Sequence, residues 1–209
     1  MQYTHEVELR NKYVSQISRA EILDLIAQRA VEDDYLEFKT ELLNSRKAAK
    51  ALDEDKDDLL ADLAGFANAA GGLIVVGITE DSQGRANSLA TVTGDEARKL
   101  ADKIRDLTAA HVRPGILQLE AVPFPMSDDG GEWIVIIRIP DGPDKPYMSV
   151  YRDQTRFAIR VGNRKRTMAY EEIQQRFLAN PQQAHMASLV TEIASIKSLV
   201  ADIRKQLER

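Results

Sequence analysis

Gly65-Phe66-Ala67-Asn68-Ala69-Ala70-Gly71-Gly72-Leu73-Ile74-Val75-Val76-Gly77-Ile78 changes its period half-way along. On its N-terminal side, Leu59, Leu60, Leu63 and Phe66 fall on one face of a helix that spans about Asp53 to Ala69. After Gly71-Gly72, Leu73 to Ile78 is a continuous apolar run, which predicts a buried strand. The acidic opening Asp53-Glu54-Asp55 suits the positive end of the helix dipole. Asn68 reads as a cap at the helix C-terminus, and the glycines permit a tight turn into the strand. The alternative use of such a turn is to present its backbone amides to a phosphate.

Working towards the N-terminus, Tyr35 to Leu42 alternates, with Leu36 and Phe38 on one side and Glu37, Lys39 and Glu41 on the other. That pattern predicts a strand with one wet face. Ser18 and Glu21 form a capping box, and Ile22, Leu25 and Ile26 follow at helical spacing, so a helix is expected from about Arg19 to Ala30. Towards the C-terminus, Asp95 to Ala110 reads as a helix with Leu100, Ile104 and Leu107 inward. Ile116 to Val122 and Trp133 to Ile139 read as strands joined through a turn at Asp128 to Gly131. Pro140 to Pro146 is a loop, Phe157 to Val161 a strand stopped by Gly162-Asn163, and Tyr170 to Leu178 a short helix. A boundary falls near Asn180-Pro181. Beyond it Met186, Leu189, Ile193, Ile196, Val200, Ile203 and Leu207 step by three and four in a heptad seam. The expected organisation is an N-terminal arm (residues 1–17), an α+β domain (18–180) with helices packed on a mixed sheet, and a C-terminal coiled-coil helix (181–209) that holds a homo-oligomer.

The bulk composition narrows the function. With 209 residues, 44% hydrophobic and 29% charged, the chain has the make-up of a folded soluble domain with an appendage. No apolar run approaches the roughly 20 residues of a membrane helix, and the polar start with Glu6 and Glu8 is unlike a secretory signal. The absence of cysteine removes disulfides, thiolate metal sites and thiol nucleophiles, and suits a cytoplasmic location. His5, His111 and His185 lack ligand spacing, and there is no G-x4-G-K-[ST] P-loop for a nucleotide. The net charge of −5 argues mildly against nucleic acid as a partner, so any such role rests on local clustering.

Three segments, taken in order, resemble the Schlafen AlbA-2 family. Glu32-Asp33-Asp34-Tyr35-Leu36-Glu37-Phe38-Lys39 is similar to its opening E-x4-E-F-K motif. The Gly65 to Ile78 stretch is similar to its A-F-A-N-x-x-G-G core, and Phe157-Ala158-Ile159-Arg160-Val161-Gly162-Asn163 to its closing Y-x-R-x-G-S/N. Pro140 to Tyr147 resembles the P-x-S-x-x-x-P-Y loop between them. The resemblance implies an AlbA/Schlafen-core-like α+β fold and a nucleic-acid-binding module, of RNA or DNA, with regulatory or defence roles among its members. It also implies an alternative, a divalent-metal-dependent endoribonuclease acting on tRNA-like RNA.

Under that alternative Glu37 and Lys39 share a strand face, the carboxylate holding Mg²⁺ or Mn²⁺ and the lysine orienting water or stabilising phosphate charge. Their bland reading is a solvated strand face. Glu32, five residues before Glu37, joins them only across a turn or bulge, which Asp33-Asp34 makes plausible. The family's third carboxylate aligns on or beside Thr79, so Glu80 or Asp81 is expected to supply it. The basic segment Tyr151 to Arg166 sets Arg152, Arg156, Arg160, Arg164, Lys165 and Arg166 against Asp153 alone, a local charge of +5. Arginine forks match phosphate oxygens, so this is the candidate nucleic-acid strip, with Tyr147 and Tyr151 as stacking surfaces for bases. The competing reading pairs these arginines with the acidic run Asp53 to Asp58. In the tail, isoleucine at both a and d positions favours trimers or higher order over dimers.

Overall fold

β2 (Gly72–Val76) is buried along its whole length because it lies inside a four-stranded sheet. The computed structural model describes residue 9, residues 11–44 and residues 46–179, so the heptad seam lies outside the described residues. β1 (Leu36–Lys39) runs parallel to β2 on one side. On the other side β7 (Trp133–Ile139) runs antiparallel and is followed by β6 (Glu120–Pro125), giving the order β1-β2-β7-β6. An inner strand covered on both faces needs apolar residues at every position, which is why Leu73 to Val76 does not alternate.

The pleat sends successive residues to opposite cores. Leu73 and Val75 join Leu36, Phe38, Ile134 and Ile136 against Ile22 and Leu25 of α1 (Arg19–Ala27). Ile74 and Val76 join Val135 and Ile137 against Leu60, Leu63 and Phe66 of α2 (Ala49–Asn68) and Ile104 of α3 (Gly94–His111). Both α1 and α3 start on complete capping boxes, Ser18 with Glu21 and Thr93 with Glu96. α2 begins earlier than the acidic run suggests, at Ala49, and carries no acid in its first turn. Asp53 to Asp58 therefore do not serve the helix dipole; their partners are described below.

Three further elements depart from the sequence expectation. The strand expected to run to Ile78 stops at Val76, because Gly77 takes φ +114° and a Cβ there would stand 2.7 Å from Ile134. The chain then makes a separate hairpin, β3 (Ile78–Glu80) with β4 (Ala86–Leu89). The strand expected over Ile116 to Val122 starts only at Glu120. The basic segment is a run of short strands. β5 (Val112–Arg113), β8 (Met148–Tyr151) and β9 (Gln154–Arg156) form one sheet, and β10 (Ala158–Val161) pairs with β11 (Arg164–Thr167). Arg164 to Arg166 are thus strand residues.

The chain divides into two units between Met168 and Ala169. α4 (Tyr170–Ala179) belongs to the second unit and carries Glu171 and Glu172 in its first turn. No helix among the described residues is long and apolar enough to cross a membrane.

Candidate functional site

β1 contributes Leu36 and Phe38 to the α1 side of the sheet, so Glu37 and Lys39 face α2. This face is covered. Glu37 is 6% exposed, and the expected solvated strand face does not exist there. Its cover is β10 and β11, which lie against α2 and put Arg160 and Lys165, a facing pair in the hairpin register, over the carboxylates. One oxygen of Glu37 accepts from Lys39 and the other from Arg160. Asp62, 3% exposed and projecting from α2, accepts from Lys165 at 2.9 Å and lies 3.8 Å from Lys39. The charges alternate around the cluster, as buried ions require. Burial pushes the Asp62 carboxyl up from the ordinary aspartate value, against the pull of Lys165. Burial alone would lower the Lys39 ammonium, but Asp62 and Glu37 overcome it and hold Lys39 above the ordinary lysine value.

Arg160 is a clamp inside the protein. Besides Glu37 it donates to the carbonyl oxygens of Asp33, at 2.7 Å, and Leu36, at 3.1 Å, and its guanidinium lies 4.4 Å from the centre of the Phe66 ring. A residue only 4% exposed with every arm engaged is not part of an exposed phosphate strip. The turn that Asp33-Asp34 foreshadows is present. The Asp33 carboxylate accepts from the amides of Tyr35 and Leu36, and Asp34 accepts from the amide of Gly162. The turn carries Glu32 back alongside β1, where it accepts from the Phe38 amide at 2.8 Å. Burial, then the nearby charge of Glu37, pushes the Glu32 carboxyl up to about 7. Burial and Glu37 push Glu80 up as well, so Glu32, Glu37 and Glu80 share one electrostatic neighbourhood. Asp81 is elsewhere. It closes its own hairpin by accepting from the amides of Gln83 and Arg85, and it pairs with Arg29, so it is held below the ordinary aspartate value.

In this donor set a hard divalent cation would compete with Lys39 and Arg160 for Glu37. Such an ion takes about six oxygens, several of them water, while Glu37 is held here by two cations and Asp81 accepts from its own turn. No three carboxylates or imidazoles among the described residues are grouped to hold a metal. Glu32, Glu37, Glu80 and Asp81 are not drawn together into one such group among the described residues.

The basic segment meets the acidic helix. Arg152 pairs with Asp53, Arg156 with Asp57 at 2.8 Å, and Lys165 with Asp58 at 2.5 Å and with Asp62. Asp53 and Asp57, and likewise Asp58 and Asp62, are one helical turn apart, so α2 presents two short acidic rows to the β strands. Of the six basic residues expected to bind phosphate, Arg152, although paired, is exposed, as are Arg164 and Arg166. Within β11 strand alternation is the cause: Lys165 turns inward, while its two neighbours are exposed. Arg164 has no ion-pair partner among the described residues. Tyr147 is fully buried and cannot stack on a base, and Tyr151 spends its hydroxyl on Asp53 at 2.8 Å.

Asn68 does not cap α2. Its amide donates to the carbonyls of Tyr147 and Ala158 and accepts from the Tyr147 amide, all within 2.8 Å. The glycine turn is equally committed to the fold: a Cβ at Gly71 would stand 2.6 Å from the Asp141 amide, and one at Gly72 2.5 Å from the Tyr35 carbonyl. The motif residues Asn68, Gly71, Gly72 and Arg160 thus all serve contacts between distant segments.

A family model described as "Schlafen, AlbA_2" matches residues 32–169, well over half of the chain. The chain belongs to the Schlafen AlbA_2 family. The match starts at Glu32 and ends just after β11, so it contains the whole charge cluster. A solved structure of the DIP2311 protein from Corynebacterium diphtheriae is similar to this Schlafen AlbA_2 chain at 20% identity and a TM-score of 0.48. That similarity covers 77% of this chain and 28% of the other, so the chain spans little more than a quarter of that protein's length. No curated protein matches the chain.

Proposed function

We propose that this chain is a nucleic-acid-binding module of the Schlafen AlbA_2 type that contacts phosphate through the outer face of the β10–β11 hairpin. The observation that carries the reading is the split of β11, where Lys165 locks inward on Asp58 and Asp62 while Arg164 and Arg166 stand exposed. Exposed guanidinium groups on a rigid hairpin suit phosphate contacts, which position a strand without reading its sequence. The family supports a nucleic-acid-related role, and the closed ion cluster supports binding without cleavage. The heptad seam in the sequence of the tail supports self-association, which would multiply a two-arginine surface.

One observation favours the endoribonuclease reading, namely that the Glu37 charge helps to push both the Glu32 and the Glu80 carboxyl up. A metal would have to displace Lys39 and Arg160 from Glu37. The test is to incubate the chain with tRNA and with single-stranded DNA, in Mn²⁺ or EDTA, and to separate the products on native and denaturing gels. Retarded but intact nucleic acid, with retardation lost in Arg164→Ala/Arg166→Ala, is expected. Cleavage that needs Mn²⁺ and disappears in Glu37→Gln would replace the binding reading with the enzymatic one.

A further inference from the structure

Both parallel strands end at the rim of one cavity. Thr40 follows β1, Gly77 follows β2, and between them and α3 lies a cleft of about 560 Å³. That volume is within the usual range for small-ligand sites. The floor is apolar, made by Leu43, Val76, Leu100 and Val135. The rim is cationic, made by Arg46, Lys99 and Lys103.

Two acids also line the cleft. Glu41 binds the Asn44 side chain at 2.8 Å and pairs with Lys47 at 3.5 Å. Glu96 closes the α3 capping box by accepting from the amide and hydroxyl of Thr93, and it also attracts Arg46 and Lys99. Neither Arg46 nor Lys99 has an ion-pair partner among the described residues, in a chain with five more acidic than basic side chains. Lys103 makes one long contact, 3.4 Å to the Leu43 carbonyl, and burial with the repulsion of Lys56 holds its ammonium below the ordinary lysine value. Three cations against two acids, one of which pairs with Lys47, leave the lining of the cleft net positive.

We propose that this cleft binds an organic phosphate, its apolar or planar body against Leu43, Val76, Leu100 and Val135 and its phosphate between Arg46, Lys99 and Lys103. A multiply charged phosphate matches three cations better than a single carboxylate does. The site lies on other residues than the β10–β11 hairpin and stands whether or not that hairpin binds nucleic acid.

The probes are AMP, adenosine, inorganic phosphate and a 5′-phosphorylated dinucleotide, titrated calorimetrically into the full chain, with methyl NMR spectra recorded alongside. AMP is expected to bind more tightly than adenosine or phosphate and to shift the methyl signals of Leu43, Val76 and Leu100. Arg46→Ala/Lys99→Ala, two exposed changes, should weaken AMP roughly tenfold for each cation removed. Arg164→Ala/Arg166→Ala should leave AMP binding unchanged. A preference for AMP over the dinucleotide assigns a free nucleotide, and the reverse preference assigns the end of a strand. Equal binding of AMP and adenosine, an unaltered affinity in Arg46→Ala/Lys99→Ala, or AMP-induced shifts confined to other methyls would each overturn the proposal.

Discussion

Arg160→Ala separates a structural clamp from a phosphate ligand. In the folded chain Arg160 serves one carboxylate oxygen of Glu37 and the carbonyls of Asp33 and Leu36. Breaking a buried ion pair costs about 3–5 kcal/mol. Lys39 remains on Glu37, which places the ionic part near the lower limit. Two carbonyls losing a donor add roughly 1 kcal/mol together, since a carbonyl has two lone pairs and water has partial access near the turn. The expected loss is therefore about 4 kcal/mol, a large part of the roughly 5–15 kcal/mol that holds a domain together. In a domain of this size it corresponds to a fall in Tm of about 8–16 °C. Urea unfolding followed by circular dichroism measures it, and Arg160→Lys should recover little, because an ammonium cannot span three acceptors as a fork does. A loss below about 1 kcal/mol, together with weaker nucleic-acid binding, would refute the clamp and return Arg160 to the phosphate surface.

Three other outcomes are expected. Because the Glu32 carboxyl sits near 7 when folded and near 4.5 when unfolded, the folded state holds the extra proton between those values. Stability should then fall as pH rises from about 4.5 to 7, by roughly 2–3 kcal/mol for this group, and Glu32→Gln should flatten the fall and be the more stable form at pH 8; a steeper fall in the variant would contradict this. Arg164→Ala/Arg166→Ala should reduce the slope of log affinity against log salt by roughly 0.7–0.9 for each phosphate no longer neutralised, measured by fluorescence anisotropy with labelled RNA, and an unchanged slope would remove the hairpin from the interface. Light scattering should find the full chain as a trimer or higher oligomer, and a chain ending at Asn180 smaller; a monomeric full chain would refute assembly through the Leu189 to Leu207 seam.

The sequence was most legible where period and packing coincide. The α2–turn–β2 unit reads directly from Leu59 to Val76, since both elements are buried by neighbours that demand apolar residues at those spacings. The Asp33-Asp34 turn was readable from side-chain chemistry, and the pairing of the basic segment with Asp53 to Asp58 stood as an open alternative. What stayed hidden depends on partners remote in sequence. Glu37 alternates as a solvent-facing residue does, and only the return of Arg160, 123 positions later, makes its face an interior one. Lys165 and its neighbours are indistinguishable by composition, yet strand alternation sends one to α2 and two to the surface. The β3–β4 hairpin was missed because Gly77 interrupts an otherwise apolar run by conformation alone. The one available hint was the positional asymmetry of acids and bases, with rows of Asp at helical spacing matching bases at strand spacing.

The Asn68 hydrogen bonds bear on the order in which the domain closes. The side chain of Asn68 joins backbone groups 79 and 90 positions downstream. A growing chain released only as far as β7 has its four-stranded sheet in hand but not the segments that complete the amide, cover Glu37 or neutralise the acidic rows of α2. On that half-built surface the acidic rows of α2 lack the basic partners that Arg152, Arg156 and Lys165 supply. The final strands therefore act as a closing seam, and a chain cut before Thr167 is expected to remain an open, acidic intermediate and not a smaller version of the same domain.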